Sequence, residues 1–303
     1  MYDNIVLKST KTKTVAYTWD VENPSKVMCI IHGIGEYVGR YDRMAKVLNE
    51  AGIAVIGVDL PGHGLSEGKR GHAAPRAYVL DVVTAMLDFA SERYPGVDIV
   101  LYGHSMGGNI CLDYRNRGAK NDLPCKYIIS APWVKLVKPI PKPLYVAVKA
   151  GAKIMPKKAI SSGCSASDLG NIEIVKSYDT DPLVHPFITM QCAVDGFDIG
   201  NALFDGTHES NGRADDKPTL LMHGSADKIC AVEGAREIAR QNENVDSFTY
   251  IEWEGYYHEI HNGGPEADGS KVIETIRDFV LEELCIEEAM HDRTIYCIKI
   301  QSL

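Results

Sequence analysis

No uninterrupted apolar stretch in the 303-residue sequence reaches the roughly 20 residues that a bilayer-crossing helix needs, so no membrane span is expected. No CxxC pair occurs among the eight cysteines (29, 111, 125, 164, 192, 230, 285 and 297). Their scatter suggests neither a zinc site nor a disulfide framework. Basic residues are in deficit: 32 Lys and Arg against 41 Asp and Glu give a net charge of −9, which argues against nucleic acid or another polyanion as partner. Residues 1–20 carry Asp3, Lys8, Lys11, Lys13 and Asp20 and lack the apolar core of a secretory signal. Repeats and low-complexity tracts are missing too. The expectation is a globular protein of a reducing compartment, the cytoplasm.

What is present is a rhythm. Short apolar runs at 27–32, 53–58, 98–103, 126–130, 218–223 and 247–252 read as buried strands. Between them, residues 41–51, 77–93, 105–117, 232–241 and 270–285 show apolar positions at helical spacing, for example Val79, Val82, Val83, Met86, Phe89 and Ala90. Alternation of this kind predicts an α/β fold with a mostly parallel central sheet flanked by helices. After Ser130 about eighty residues pass before the next strand, longer than a connection should be. The expected organisation is a core of 1–132 and 214–303 with an inserted cap at 133–213. The tail, 286–303, is readable as an added strand or as a loose terminus.

The sharpest chemical signal is Gly103-His104-Ser105-Met106-Gly107, placed where a strand ends and a helix begins. A serine nucleophile needs that sharp turn to project its Oγ, and the flanking glycines allow the backbone to pass closely. A hydroxyl is a poor nucleophile at neutral pH, so an imidazole must take its proton and a carboxylate must orient the imidazole. Asp227, in the loop after 218–223, and His258, after the last core strand, follow in the required chain order. His261 is the rival base, and His258-x-x-His261 has no third ligand that would make it a metal pair. The oxyanion of an attacked ester needs N–H donors. Met106, following the nucleophile, and Ile34, in the His32-Gly33-Ile34-Gly35 stretch, are the candidates.

Taken together, HGIGEYVGRY (32–41), VDLPGHGLSEGKRGHA (58–73), LYGHSMGGNI (101–110), DPLVH (181–185), LLMHGSADKIC (220–230) and YYHEIHN (256–262) resemble the α/β-hydrolase superfamily, specifically its monoacylglycerol lipase and lysophospholipase branch. Tyr37 stands where many members have histidine, and the cap diverges outside DPLV. The resemblance implies the triad Ser105, Asp227 and His258 and the oxyanion donors Ile34 and Met106, in agreement with the reading above. It also implies hydrolysis of a monoacylglycerol, lysophospholipid or related acyl ester through an acyl-enzyme, with no cofactor and no metal. General carboxylesterases, acyltransferases and peptidases use the same triad, and a noncatalytic binding module is the remote alternative. The apolar cap residues Trp133, Leu136, Leu144, Tyr145 and Val148 are expected to line an acyl tunnel. Residues 133–158 carry Lys135, Lys138, Lys142, Lys149, Lys153, Lys157 and Lys158 but no acidic residue, a pattern suited to brief contact with an anionic micelle or membrane surface.

Overall fold

The structure is a computed structural model and describes residues 2–8, 10–282 and 295–297. In chain order the strands are β1 (Asp3–Leu7), β2 (Thr14–Trp19), β3 (Lys26–Ile31), β4 (Ile53–Val58), β5 (Asp98–His104), β6 (Lys126–Ser130), β7 (Ala159–Ser161), β8 (Phe187–Thr189), β9 (Thr219–Gly224), β10 (Phe248–Trp253) and β11 (Ile295–Cys297). The helices are α1 (Asp42–Glu50), α2 (Arg76–Arg93), α3 (Met106–Arg117), α4 (Lys142–Ile154), α5 (Ala166–Leu169), α6 (Ile172–Val175), α7 (Met190–Phe204), α8 (Val232–Gln241) and α9 (Ser270–Leu281).

One sheet runs in the order β1-β2-β4-β3-β5-β6-β9-β10-β11, parallel from β4 to β10 and antiparallel at both ends. Alternating side chains of each strand serve opposite faces, as the two-residue period of a strand requires. On β3, Val27, Cys29 and Ile31 join the layer built with α2 and α3, whereas Met28 and Ile30 join the layer built with α1 and α9. Both faces are therefore apolar, which is why these runs show no polar alternation. The hairpin β1–β2 is absent from the sequence reading. Its strands carry Asp, Asn and Thr, and the buried Thr14 and Thr18 break the apolar run that marks the other strands. Of the tail, Ile295–Cys297 pairs antiparallel with β10, and the rest of 286–303 lies outside the described residues.

The excursion between β6 and β9 holds α4 to α7 and the β7–β8 pair. It is not uniform. Trp133, Val134, Cys192, Ala193, Ile199 and Leu203 belong to the main apolar cluster, so α7 packs as part of the core. By contrast, Ala166, Leu169, Val175 and Tyr178 form a small cluster of their own, and α4 buries only Ala152.

Candidate active site

β5 delivers Ser105 into a turn with φ 56° and ψ −117°, a left-handed conformation that a residue with a Cβ rarely adopts. Glycine on either side makes the turn possible. A Cβ on Gly107 would lie 2.1 Å from the Ile31 carbonyl oxygen, and one on Gly103 would lie 2.3 Å from the Gly107 oxygen. His258, on the loop after β10, places Nε2 2.8 Å from Ser105 Oγ and Nδ1 2.7 Å from Asp227 Oδ2. Because the carboxylate only accepts, the imidazole carries its proton on Nδ1 and offers Nε2 as the acceptor for the serine hydroxyl.

Asp227 is itself held from four sides. Its Oδ1 accepts from the N–H groups of Ile229 and Cys230 at 2.7 and 2.9 Å, and its Oδ2 receives His223 Nε2–H at 3.1 Å as well as His258. Burial would raise the carboxyl pKa, but the charge of His258 and the hydrogen bonds from His223 and His258 outweigh it, so the group stays well below the usual range. For His258 the balance runs the other way. Burial alone would lower the imidazole pKa; the charge and hydrogen bond of Asp227, with Glu259 and Glu36 behind it, hold the pKa above its ordinary value.

The two proposed oxyanion donors come from separate segments, Met106 from the helix after β5 and Ile34 from the loop after β3. Met106 N–H is at the first position of α3, where the helix supplies no acceptor of its own and the helix dipole favours negative charge. Ile34 borders the space in front of Ser105, and its neighbour Gly33 is packed so closely that an added Cβ would lie 3.2 Å from Ser105 Cβ. The His32 ring pins this loop by accepting from Leu60 N–H at 2.9 Å and donating to the Gly33 carbonyl at 2.7 Å. The DPLVH segment is stitched to the same loop. His185 N–H donates to the Gly35 oxygen at 2.8 Å, and a Cβ on Gly35 would come within 2.4 Å of the His185 oxygen.

Two cavities meet at Ser105, Ile34 and Cys164. The larger, about 100 Å³, is walled mainly by apolar side chains including Trp133, Leu136, Ile140, Ile160 and Phe197. The smaller, about 10 Å³, holds roughly one water and is bordered by Glu36, His104, Tyr178 and Glu259. Trp133 and Leu136 are thus at the cavity, whereas Leu144, Tyr145 and Val148 are not among its wall residues. Leu144 is 53% exposed, and Tyr145 turns to Asp198 and the edge of Phe197. Helical spacing marks α4 as amphipathic, but most of its apolar stripe points outward rather than into the tunnel expected from sequence. His261, the rival base, stacks on Tyr41 at 5.1 Å and is held by burial down to about 4.

Sequence reasoning passed over Glu36, Arg40 and Glu259. Arg40 donates to Glu36 Oε2 at 2.6 Å and to both Glu259 oxygens at 2.6 and 2.8 Å. The available signal was the four-residue spacing of Glu36 and Arg40 and a carboxylate directly after His258. Glu36, His104 and Glu259 bring three ligand-type atoms within 4.8 Å of one another, yet the cation the two carboxylates hold is the Arg40 guanidinium.

The family described as serine aminopeptidase, S33, matches residues 22–264. An uncharacterized abhydrolase domain-containing protein of Dictyostelium discoideum is 30% identical over 262 residues, covering 85% of this chain but only 27% of that protein. The chain therefore spans about a quarter of that relative's length. Human monoglyceride lipase is 30% identical over 253 residues, with 82% of this chain and 80% of that protein covered. Among solved structures, a monoacylglycerol lipase of Paleococcus ferrophilus superimposes with a TM-score of 0.76 at 29% identity, covering 89% of this chain and 99% of that one.

Proposed function

The chain belongs to the serine aminopeptidase S33 family of α/β-hydrolases and is a carboxylic ester hydrolase, and from that premise we propose that it releases a fatty acid from a monoacylglycerol-type ester through an acyl-enzyme. In this reading Ser105 Oγ attacks the ester carbonyl while its proton passes to His258 Nε2. Asp227 stabilises the resulting imidazolium. The N–H groups of Ile34 and Met106 receive the oxyanion, where preorganised donors are worth most. On collapse, His258 returns the proton to the departing alcohol oxygen. Water, deprotonated by the same imidazole, then releases the acid and restores Ser105.

The observation that carries the substrate class is the pairing of the two cavities at one nucleophile. The apolar cavity suits an acyl chain. The smaller recess at Ser105 is bordered by two carboxylates that share a single guanidinium already committed to both. The recess itself admits only about one water, but its excess of negative charge beside Ser105 repels a phosphate, favouring a neutral headgroup over that of a lysophospholipid. The scattered thiols fit a cytoplasmic setting, and no described helix is long and apolar enough to cross a membrane. Leu144, Val146, Ile154 and Met155 on and just after α4 are exposed beside Lys138, Lys142 and Lys153, a surface suited to resting on anionic lipid while substrate enters.

The test is a panel of matched monoacylglycerols, lysophospholipids and acyl amides, together with fluorophosphonate labelling of Ser105. The expected result is a kcat/KM for the monoacylglycerol about tenfold or more above the lysophospholipid, a difference of about 1.4 kcal/mol in transition-state binding. Preference for the phosphorylated headgroup, or for the amide, would overturn the assignment.

A further inference from the structure

We propose that Glu36, Arg40 and Glu259 form a buried strut that positions the oxyanion loop and the catalytic histidine relative to each other. The inference rests on the ester-hydrolase reading above and assigns positioning roles to three residues outside the triad. At one end, Glu36 Oε1 accepts from Gly33 N–H at 2.7 Å and from Tyr41 Oη–H at 3.0 Å. This bond fixes the His32–Gly33 peptide, the one directly before the Gly33–Ile34 peptide that carries the Ile34 N–H. At the other end, Glu259 follows His258 in the chain and accepts from Asn262 Nδ2–H at 2.7 Å, while its own N–H donates to the Leu169 oxygen at 2.6 Å. Arg40 spans the gap with its fork on Glu259 and one N–H on Glu36, under the Tyr178 ring at 4.7 Å.

Stability alone does not account for such an arrangement. The side chains of Glu36, Arg40 and Glu259 are only 4%, 12% and 2% exposed, and well-packed apolar residues commonly serve stability as well as a buried ion pair or better. What the charges add is geometric fixity between two loops that are far apart in sequence but must agree at one carbonyl carbon. The bidentate guanidinium–carboxylate contact is well suited to it. The strut also sets the electrostatics of the base. Facing His258 are Asp227 from the loop after β9, His104 from the end of β5, Glu36 and Arg40 from beyond β3, Tyr178 and Cys164 from the excursion, and Glu259 and His261 from its own segment. Burial keeps His104 and His261 neutral near pH 7. Burial pushes the Glu36 carboxyl pKa up, but both of its oxygens act as acceptors, the pattern of a carboxylate. Besides Asp227, the strut therefore sets two negative charges against one positive charge beside the imidazole.

The test uses p-nitrophenyl butyrate, whose turnover needs the triad and oxyanion donors but neither a long chain nor glycerol, so the strut is judged apart from the substrate class proposed above. Glu36→Ala should lower kcat about 10- to 100-fold with KM changed by less than about threefold, because a misaimed oxyanion donor acts on the transition state. Glu36→Gln, which keeps an oxygen for Gly33 N–H and Tyr41, should restore most of that kcat. Glu259→Gln removes a negative charge while keeping the shape. The imidazolium is then less stabilised, and the acid limb of kcat/KM should move to lower pH by about half a unit to one unit. Folding of each variant is checked by circular dichroism, and the two amide variants stand in should the alanine fail to fold. An unchanged kcat in Glu36→Ala, equal losses in the alanine and glutamine variants, or an unmoved acid limb in Glu259→Gln would each overturn the proposal.

Discussion

Asp227→Asn is nearly isosteric, and the contacts of Asp227 show which interactions survive it. The asparagine oxygen can still accept from the Ile229 and Cys230 N–H groups, as Oδ1 now does at 2.7 and 2.9 Å. The amide nitrogen then replaces Oδ2 and faces His258 Nδ1 at 2.7 Å and His223 Nε2 at 3.1 Å. Both of those nitrogens donate, so donor meets donor. His258 relieves the conflict by shifting its proton to Nε2, which turns a hydrogen rather than a lone pair toward Ser105. The base is lost, and the imidazolium loses its counter-charge. A tautomer inversion of this kind lowers kcat about 10⁴-fold, or roughly 5.5 kcal/mol at about 1.4 kcal/mol per decade. Loss of Ser105 or His258 should reach the order of 10⁶ because the triad acts as a unit, leaving the asparagine variant the milder of the three. His223 has no equal escape, since its Nε2–H also serves the Cys230 oxygen at 3.1 Å. A modest fall in Tm should therefore accompany the loss of rate. The assay is initial-rate hydrolysis of p-nitrophenyl butyrate, referred to folded protein. A folded variant that loses less than about 100-fold would refute the tautomer argument.

Three further outcomes follow from the same geometry. The His258 pKa is held above its ordinary value, and the base must be neutral to act, so kcat/KM should be full above that raised pKa and fall as pH drops through it; a stopped-pH series that finds the acid limb below pH 6 would contradict this. Gly107→Ala drives a Cβ to 2.1 Å from the Ile31 oxygen and 2.6 Å from the His32 oxygen, both backbone atoms that cannot swing aside, so fluorophosphonate labelling should vanish and Tm should drop by roughly 5 °C or more. Changing Lys138, Lys142 and Lys153 together to Glu should slow hydrolysis of long-chain substrate in anionic micelles at low salt and leave a soluble short ester untouched, each lysine near such a surface contributing about 1 kcal/mol; equal losses on both substrates would indicate a damaged fold instead. Lys149 is left out because it is bound to Asp198 at 2.7 Å.

The parallel strands were readable because burial on both faces writes itself as an unbroken apolar run: 53–58 and 126–130 coincide with β4 and β6, and the others fall within a residue or so. The elbow was readable because its strain demands glycine at fixed offsets from Ser105. Asp227 and His258 were readable from chain order and from their place in the loops after two strands, and they lie at hydrogen-bond distance in a relay to Ser105. Other features were written in a weaker script. Leu144 and Val148 carry the helical period of an amphipathic element, but periodicity does not say which neighbour an apolar stripe meets, and most of the stripe faces outward. The strut joins Glu36 to Glu259 across more than two hundred residues, and no local pattern encodes a contact that only the folded chain brings together.

β6 and β9 are hydrogen-bonded neighbours, with Tyr127 opposite Thr219 and Ser130 opposite Met222, so the long excursion leaves and re-enters the sheet at a single seam. Both its ends are anchored by the same ladder that aligns the strands bearing the chemistry. The entropy of closing such a loop grows only with the logarithm of its length, about 0.6 kcal/mol per doubling. Residues can thus be added, removed or exchanged within it at little expense to the ladder, provided the α7 face against α3 and the contacts of Leu169, Tyr178 and His185 with Glu259, Arg40 and Gly35 are kept. Ser105 comes from β5, Asp227 from the turn after β9 and His258 from the turn after β10, all outside the excursion. The seam separates what is transformed from how it is transformed: a lineage, or a designer, could recast the clientele of this hydrolase by trading one stretch of chain while the reacting atoms stay in register.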